Sequence, residues 1–171
     1  MDKALQPIVQ VLEKEFGAEA SESFGEVQIV VSSENLVAAS QKLRDEFEFA
    51  FLSTITAVDY FPETAPRYHV VYVFRSYSKE LQLSLRVPVA DATSPSIPTL
   101  TGLYKNANWR ERELWDMFGI KPQDHPDVRR ILMPDDWDGH PLRKDYPLGY
   151  EEPQFTFNFE EIDLSKPKGE I

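Results

Sequence analysis

Two histidines, His125 and His140, and three aspartates, Asp135, Asp136 and Asp138, are the side chains of this sequence best suited to hold a metal ion or move a proton. Each histidine directly precedes a proline, in His125-Pro126-Asp127 and Gly139-His140-Pro141, which puts both on irregular backbone. No HxH or HExxH spacing sets two ligands side by side. The aspartates of Pro134-Asp135-Asp136-Trp137-Asp138-Gly139 suit turn capping better than an acid–base pair. His69 falls within a strand pattern and reads as structural. No serine sits in a GxSxG context, and the 7 glycines never cluster into a phosphate cradle. The chain has 0 cysteines, hence no disulfide, no thiolate nucleophile and no cysteine-held zinc or iron–sulfur cluster of its own. These residues make no catalytic constellation. A free-standing metal-dependent hydrolase built on His125, His140 and the nearby aspartates is the reading from a different class, which metal analysis of the purified chain discriminates.

The denser signal is charge. Residues 109–146 hold 16 charged side chains in 38 positions, together with Trp109, Trp115 and Trp137. Two readings of the alternation Arg110-Glu111-Arg112-Glu113 stand open: a solvated helix face, or a paired network at a buried or interfacial site. The tryptophans favour the second, because tryptophan and arginine concentrate in contact surfaces. The net charge is −5 over residues 1–108, −2 over 109–146 and −4 over 147–171, giving −11 for the 171 residues. With a pI near 4.7 and no basic face to displace counterions, nucleic acid is a poor partner.

The elements that must position this stretch are legible upstream. Leu5, Ile8, Val9, Leu12 and Phe16 form one helical stripe over residues 2–16, with Gly17 at the stop. Val27, Ile29 and Val31 mark a short strand, and Ser32 or Ser33 caps a helix carrying Leu36, Ala39, Leu43 and Phe47 on one face. Residues 50–60 are rich in β-branched and aromatic side chains. Tyr68, Val70, Tyr72 and Phe74, then Leu81, Leu83, Leu85 and Val87, make two alternating strands joined by a hairpin-length turn. The class is α+β: helices packed on one face of a mostly antiparallel sheet, followed by a charged helix-plus-irregular segment and an extended C-terminal arm. Residues 88–98, with their prolines, read as a loop, and residues 106–118 as a helix with Asn106 or Asn108 as cap and Gly119 as stop. From 119 to 150 no period is usable, so order there requires side-chain hydrogen bonds in place of ladders. Three parts follow: an α+β domain over 1–105, the charged segment over 106–150, and an arm over 151–171.

In the arm, Phe155, Phe157 and Phe159 alternate with Thr156 and Asn158 as one apolar edge of a strand. That edge either folds back on this domain or, the favoured alternative, lies along another protein. No apolar run approaches the roughly 18 residues of a spanning helix. The N-terminus reads as an amphipathic helix rather than a signal peptide, so a cytosolic setting with membrane contact through partners is expected.

The segment WRERELWDMFGIKPQDHPDVRRILMPDDWDGHPLRKDYP resembles the characteristic segment of the 30-kDa (C-type) subunit family of proton-pumping NADH:quinone oxidoreductase (respiratory complex I, NDH-1). Glu111-Arg112-Glu113, Asp116-Met117-Phe118-Gly119, His125, Arg129, Ile131 and Leu132 fit that motif in order and spacing, and the run from Leu132 to Pro147 continues it. The resemblance implies a cofactor-free component of the peripheral arm, on the cytoplasmic face of the membrane. Its partners would be the 49-kDa (D-type) subunit and the cluster-carrying subunits of the quinone module, with FMN and iron–sulfur clusters held by partners. Related subunits occur in membrane-bound hydrogenases and in the photosynthetic-type complex, so the motif alone leaves the electron donor open. The residues expected to carry structure and interface are Arg112, Glu113, Trp115, Asp116, His125, Arg129, Arg130, Trp137, Arg143 and Lys144, with Phe155, Phe157 and Phe159 of the arm.

Overall fold

A computed structural model describes residues 4–147. Helix α1 (Gln6–Phe16) begins on a proline in its first turn and ends at Gly17, whose φ of 61° is the left-handed conformation glycine adopts without strain. It buries Ile8, Val9 and Leu12. Strands β1 (Glu19–Ser23) and β2 (Glu26–Val30) form a hairpin. A 3-10 turn (Ser33–Asn35) leads into α2 (Leu36–Asp45), which buries Leu36, Ala39 and Leu43. Strands β3 (Phe51–Asp59), β4 (Tyr68–Ser76) and β5 (Leu81–Val89) follow.

These strands form one five-stranded sheet in the order β1-β2-β5-β4-β3. Three pairs are antiparallel, and β2 runs parallel to β5, as a strand returning over a helical layer must. Ile29, Ile55, Tyr68, Val70, Tyr72, Phe74, Leu83, Leu85 and Val87 turn toward the helices and are buried. Alternate residues on the other side, apart from the buried Ser84, stay half-buried or exposed, so the helices share one face, as the alternation predicts.

Several local expectations are corrected. Strand β1 (EASES) has no apolar alternation, because an edge strand exposed along most of its length need not bury a face. Residues 88–98 are not a continuous loop. Pro88 and Val89 complete β5, and β6 (Ser96–Pro98) pairs in parallel with β7 (Lys121–Gln123), inside a region expected to lack ladders. Three-residue strands are too short to carry a readable period. The helix caps also differ. Ser32 makes no side-chain cap bond, and Asn35 Nδ2 donates to the Phe16 carbonyl at 3.1 Å, tying α2 to the end of α1. Asn106 precedes α3 (Ala107–Phe118) but donates to the Leu52 carbonyl at 2.6 Å instead of capping it, which anchors α3 on β3.

Tyr104 fixes the approach to that helix. Its buried hydroxyl donates to the Phe49 carbonyl at 2.9 Å, joining the 99–106 connection to the chain between α2 and β3. Tyr104→Phe removes one buried hydrogen bond with almost no change in packing. It is expected to lower stability by about 1 kcal/mol, read by urea denaturation of the purified chain.

Candidate functional site

Helix α3 carries charge inward. Glu111 and Asp116 are 0% exposed and Arg112 is 8% exposed, an arrangement tolerated only when each group is paired or hydrogen-bonded. Asp116 is the most heavily used. Its Oδ2 accepts three consecutive backbone N–H bonds, from Ile131 (3.0 Å), Leu132 (2.8 Å) and Met133 (3.0 Å). Its Oδ1 accepts from Arg130 at 2.6 Å. Burial by itself raises the carboxyl pKa, and these four donors together outweigh it, holding Asp116 below its ordinary value. Folding thus lowers the pKa. The stabilisation is complete above the usual carboxyl value of 3.8 and is lost as pH falls through the lower folded value.

Arg130 spreads from there. Besides Asp116 it donates to the carbonyls of Trp137 (2.5 Å) and Gly139 (3.1 Å), with its guanidinium 5.7 Å from the Trp115 ring centre. Arg112 donates to the carbonyls of Arg129 (3.1 Å) and Arg130 (2.9 Å) and lies 5.5 Å from the Trp109 ring. Irregular backbone from 129 to 139 is thereby held by side chains of α3 and of its own arginine, which answers where its missing ladder bonds went.

The far end of the segment closes the helix terminus. The last four carbonyls of a helix have no partner within it. Here that of Trp115 accepts from Gly119 N–H (2.8 Å), that of Asp116 from His140 Nδ1 (3.0 Å), that of Met117 from Leu142 N–H (3.0 Å) and that of Phe118 from Arg143 Nε (2.6 Å). Gly119 is required twice. Its φ is +72°, and an added Cβ would lie 2.3 Å from Arg143 and 2.5 Å from the His140 ring.

A second cluster clamps this cap to the α+β layer. Arg67 donates in bidentate fashion to Asp59 (2.9 and 2.9 Å) and to Asp145 (2.9 and 2.7 Å), and the Lys144 backbone N–H reaches Asp59 at 2.9 Å. Burial works against charge on Asp59, but Arg67 and the backbone N–H groups of Lys144 and Phe61 (3.0 Å) keep its pKa below the ordinary value. Asp145 is lowered chiefly by Arg67.

Glu111 is the opposite case. It accepts from the Leu100 N–H (2.7 Å) and the Thr99 hydroxyl (2.5 Å) but has no cation in contact, and burial pushes its pKa up to about 7 against those two donors. His125 stands 4.0 Å away. Its Nδ1 accepts from the Asp127 N–H at 3.1 Å, so the ring proton lies on Nε2, donated to the Asn108 carbonyl at 3.2 Å.

The expected site residues therefore divide. Arg112, Asp116, His125, Arg130 and Arg143 come together around α3, spent on this chain's own backbone and on Asp116. Trp115 is half-buried beneath Arg130, edge-on to His140. Glu113 makes only a 3.4 Å pair with Arg110 on the solvated side, and Arg129 a 2.9 Å surface pair with Asp127. Lys144 contributes its backbone, and its side chain is exposed. Trp137 is 40% exposed, and of the same segment Leu132 (62%) and Leu142 (53%) are exposed as well. Phe155, Phe157 and Phe159 lie outside the described residues. Among the described residues no three His, Asp or Glu side chains converge as a metal site needs. His140, whose pKa is lowered mainly by burial, has Nδ1 committed to a carbonyl. Sequence reasoning missed Asp59, Arg67 and Asp145, since a contact across 78 residues leaves no local pattern. Trp115, Trp137, Arg130, His140, Arg143 and Tyr146 line an open cleft of about 460 Å³.

Residues 29–152 match the model of the respiratory-chain NADH dehydrogenase 30-kDa subunit family. The chain is 47% identical over 150 residues to the NADH-quinone oxidoreductase C subunit of Roseiflexus sp. (strain RS-1), covering 86% of this chain and 85% of that protein. The corresponding C subunit of Geobacter sulfurreducens is 44% identical over 124 residues, 72% of this chain and 76% of that one. Among solved structures, a trypsin-resistant fragment (1–134) of Nqo5 is similar with a TM-score of 0.64 and 28% identity, over 73% of this chain and 99% of the fragment. A chain of the membrane-bound sulfane sulfur reductase, an archaeal respiratory membrane complex, shares the fold at a TM-score of 0.70 and 22% identity, over 86% of this chain and 87% of that one.

Two substitutions test the electrostatics. Asp116→Asn halves the acceptor capacity and strands Arg130, so a loss of about 3 kcal/mol is expected, with near-ultraviolet circular dichroism reporting loosened tryptophans. For Glu111, folding raises the pKa from 4.5 to about 7, so its favourable contribution is complete below pH 4.5 and lost as pH rises through about 7. Glu111→Gln removes that dependence. Its melting temperature relative to the native chain should rise from pH 5 to pH 8, by up to about 3 kcal/mol in stability.

Proposed function

The chain belongs to the 30-kDa subunit family of respiratory-chain NADH dehydrogenase, and from that membership we propose that it is a non-catalytic scaffolding subunit of the quinone-reducing module, seated against the 49-kDa subunit in the peripheral arm. As a family member it is a component of a hetero-oligomeric NADH-quinone oxidoreductase, whose activity is a property of the whole complex. The scaffolding assignment rests chiefly on one observation. Four ionised side chains of the motif, Arg112, Asp116, Arg130 and Arg143, are consumed in shaping their own loop, while Trp109 on α3 and Leu132, Trp137 and Leu142 on the loop are left 61%, 62%, 40% and 53% exposed. Large aromatic and aliphatic side chains displayed on a rigid, hydrogen-bonded loop are what a contact hot spot consists of.

In this reading the FMN and iron–sulfur clusters belong to partner subunits, and this chain fixes the orientation of those partners. The chemistry is the cofactors' own. No helix among the described residues is long and apolar enough to cross a membrane, which suits peripheral attachment through partners at the cytoplasmic face. Phe155, Phe157 and Phe159 extend the same contact. The fold is shared with a chain of an archaeal sulfane sulfur reductase, so fold does not select the electron acceptor. Relatives near 45% identity over most of their length favour the quinone-linked assignment.

Co-purification from native membranes identifies the neighbours directly, with the 49-kDa subunit and NADH-oxidising flavoprotein partners expected. Trp137→Ala and Arg129→Ala alter exposed side chains, so the free chain should melt as before. Assembled complex on native gels should fall several-fold, with NADH:quinone turnover per assembled complex unchanged. Normal assembly with collapsed specific turnover would instead give this chain a catalytic part.

A further inference from the structure

The sheet face away from the helices is not built like a face meant for water. Its register sets Glu19, Val30, Arg86, Val71 and Thr56 in one row across the five strands. The next row is Ser21, Gln28, Ser84, Val73 and Thr54, and Pro88, His69 and Val58 follow on the other side. A solvated antiparallel face normally alternates to charged and polar residues. Here the central positions are valine, threonine and serine, and β-branched propensity alone explains their strand preference but not the lack of charge.

At the middle of this face, where valines lie among uncharged polar side chains, stands Arg86. Its terminal nitrogens contact the Gln28 amide oxygen (3.4 Å) and the Tyr60 hydroxyl, with the guanidinium 5.5 Å from the Tyr60 ring. It has no carboxylate partner among the described residues, and its buried Nε finds no acceptor. Arg67 and Arg130 are each paired to aspartate, whereas Arg112 and Arg143 are satisfied by backbone carbonyls. His69, edge-on to Tyr60 at 5.1 Å, likewise has a buried Nδ1 without a partner. The other charged groups of this face, Glu19, Glu26 and Arg75, lie toward its edges, leaving the centre to Arg86.

We propose that this open sheet face is a second docking surface, on the side opposite the helices, taken by a neighbouring subunit that presents an apolar patch with one acidic side chain directed at Arg86. The partner chemistry follows from complementarity. The half-buried valines suit aliphatic cover, and a half-buried cation with an unmet donor and no carboxylate beside it among the described residues suits an acidic side chain. A second contact would place the domain as a wedge between two neighbours. It rests on the reading that the chain functions inside a hetero-oligomeric complex, but not on which neighbour meets the motif loop.

The test uses the full-length chain assembled in its complex. A photo-crosslinking phenylalanine derivative is placed at Thr56, exposed on this face, and in a parallel strain at Trp137. The expected result is a Thr56 adduct to another subunit, with an Asp or Glu in the cross-linked peptide. Arg86→Glu should lower assembled complex about tenfold, Arg86→Gln less, with the free chains melting like the native one. Changing the partner's cross-linked acid to Lys should restore assembly of the Arg86→Glu strain. The inference is overturned if Thr56 captures only this chain's own residues or nothing while Trp137 captures a partner, or if Arg86→Glu assembles normally. Capture at Thr56 but not at Trp137 would sustain it and count instead against the motif loop as the contact with the 49-kDa subunit.

Discussion

A helix that ends inside a protein leaves four carbonyls to be satisfied, and in this chain that requirement organises the segment that defines the family. The tail from Gly119 to Arg143 returns over the end of α3 and satisfies its carbonyls with two backbone N–H groups, an imidazole and a guanidinium. In the same last turn, the Asp116 carboxylate gathers three successive N–H groups into a concave nest. A stretch rich in proline and glycine, with only a three-residue strand of ladder, is thereby held in one conformation. The constraint is directional: donors must meet fixed acceptors, and apolar packing alone would let such a loop slide.

Buried charge of this kind is weak evidence for stability and better evidence for specified geometry, because desolvation offsets much of the attraction. The two clusters illustrate how differently a carboxylate behaves when its partners change. Asp116 and Asp59 are surrounded by donors and hold their charge, whereas Glu111 has two donors and no cation, and titrates near neutrality. The Arg67 clamp joins the loop to the sheet, so the family segment and the α+β layer form one continuous body. What the loop then offers outward is Leu132, Trp137 and Leu142 set among exposed charges such as Asp135, Asp136, Asp138 and Lys144.

This arrangement suits the scaffolding role proposed for the chain. A loop stiffened from within holds its exposed tryptophans at fixed positions, and preorganised contacts lose less entropy on association than mobile ones. Arg86, on the open face of the sheet, keeps one donor, its buried Nε, without an acceptor among the described residues. Both features turn attention from chemistry at this chain to the surfaces it shares.

Periodicity determined much of this protein. The stripes of α1 and α2, the alternation of Tyr68 to Phe74 and of Leu81 to Val87, and the stops at Gly17 and Gly119 are all legible, since burying one face imposes a repeat on the residues that do it. The family segment was legible too, by its order of charged and aromatic residues. Tertiary structure alone decided the rest: the parallel pairing of β2 with β5, the strands β1, β6 and β7, and above all the partners of the charges. Arg67 meets Asp145 across 78 positions, and Arg112, which looks like half of an ion pair, instead binds two carbonyls. A hydrogen bond depends on where two groups arrive in space, and a linear sequence encodes that only through the folding of everything between them.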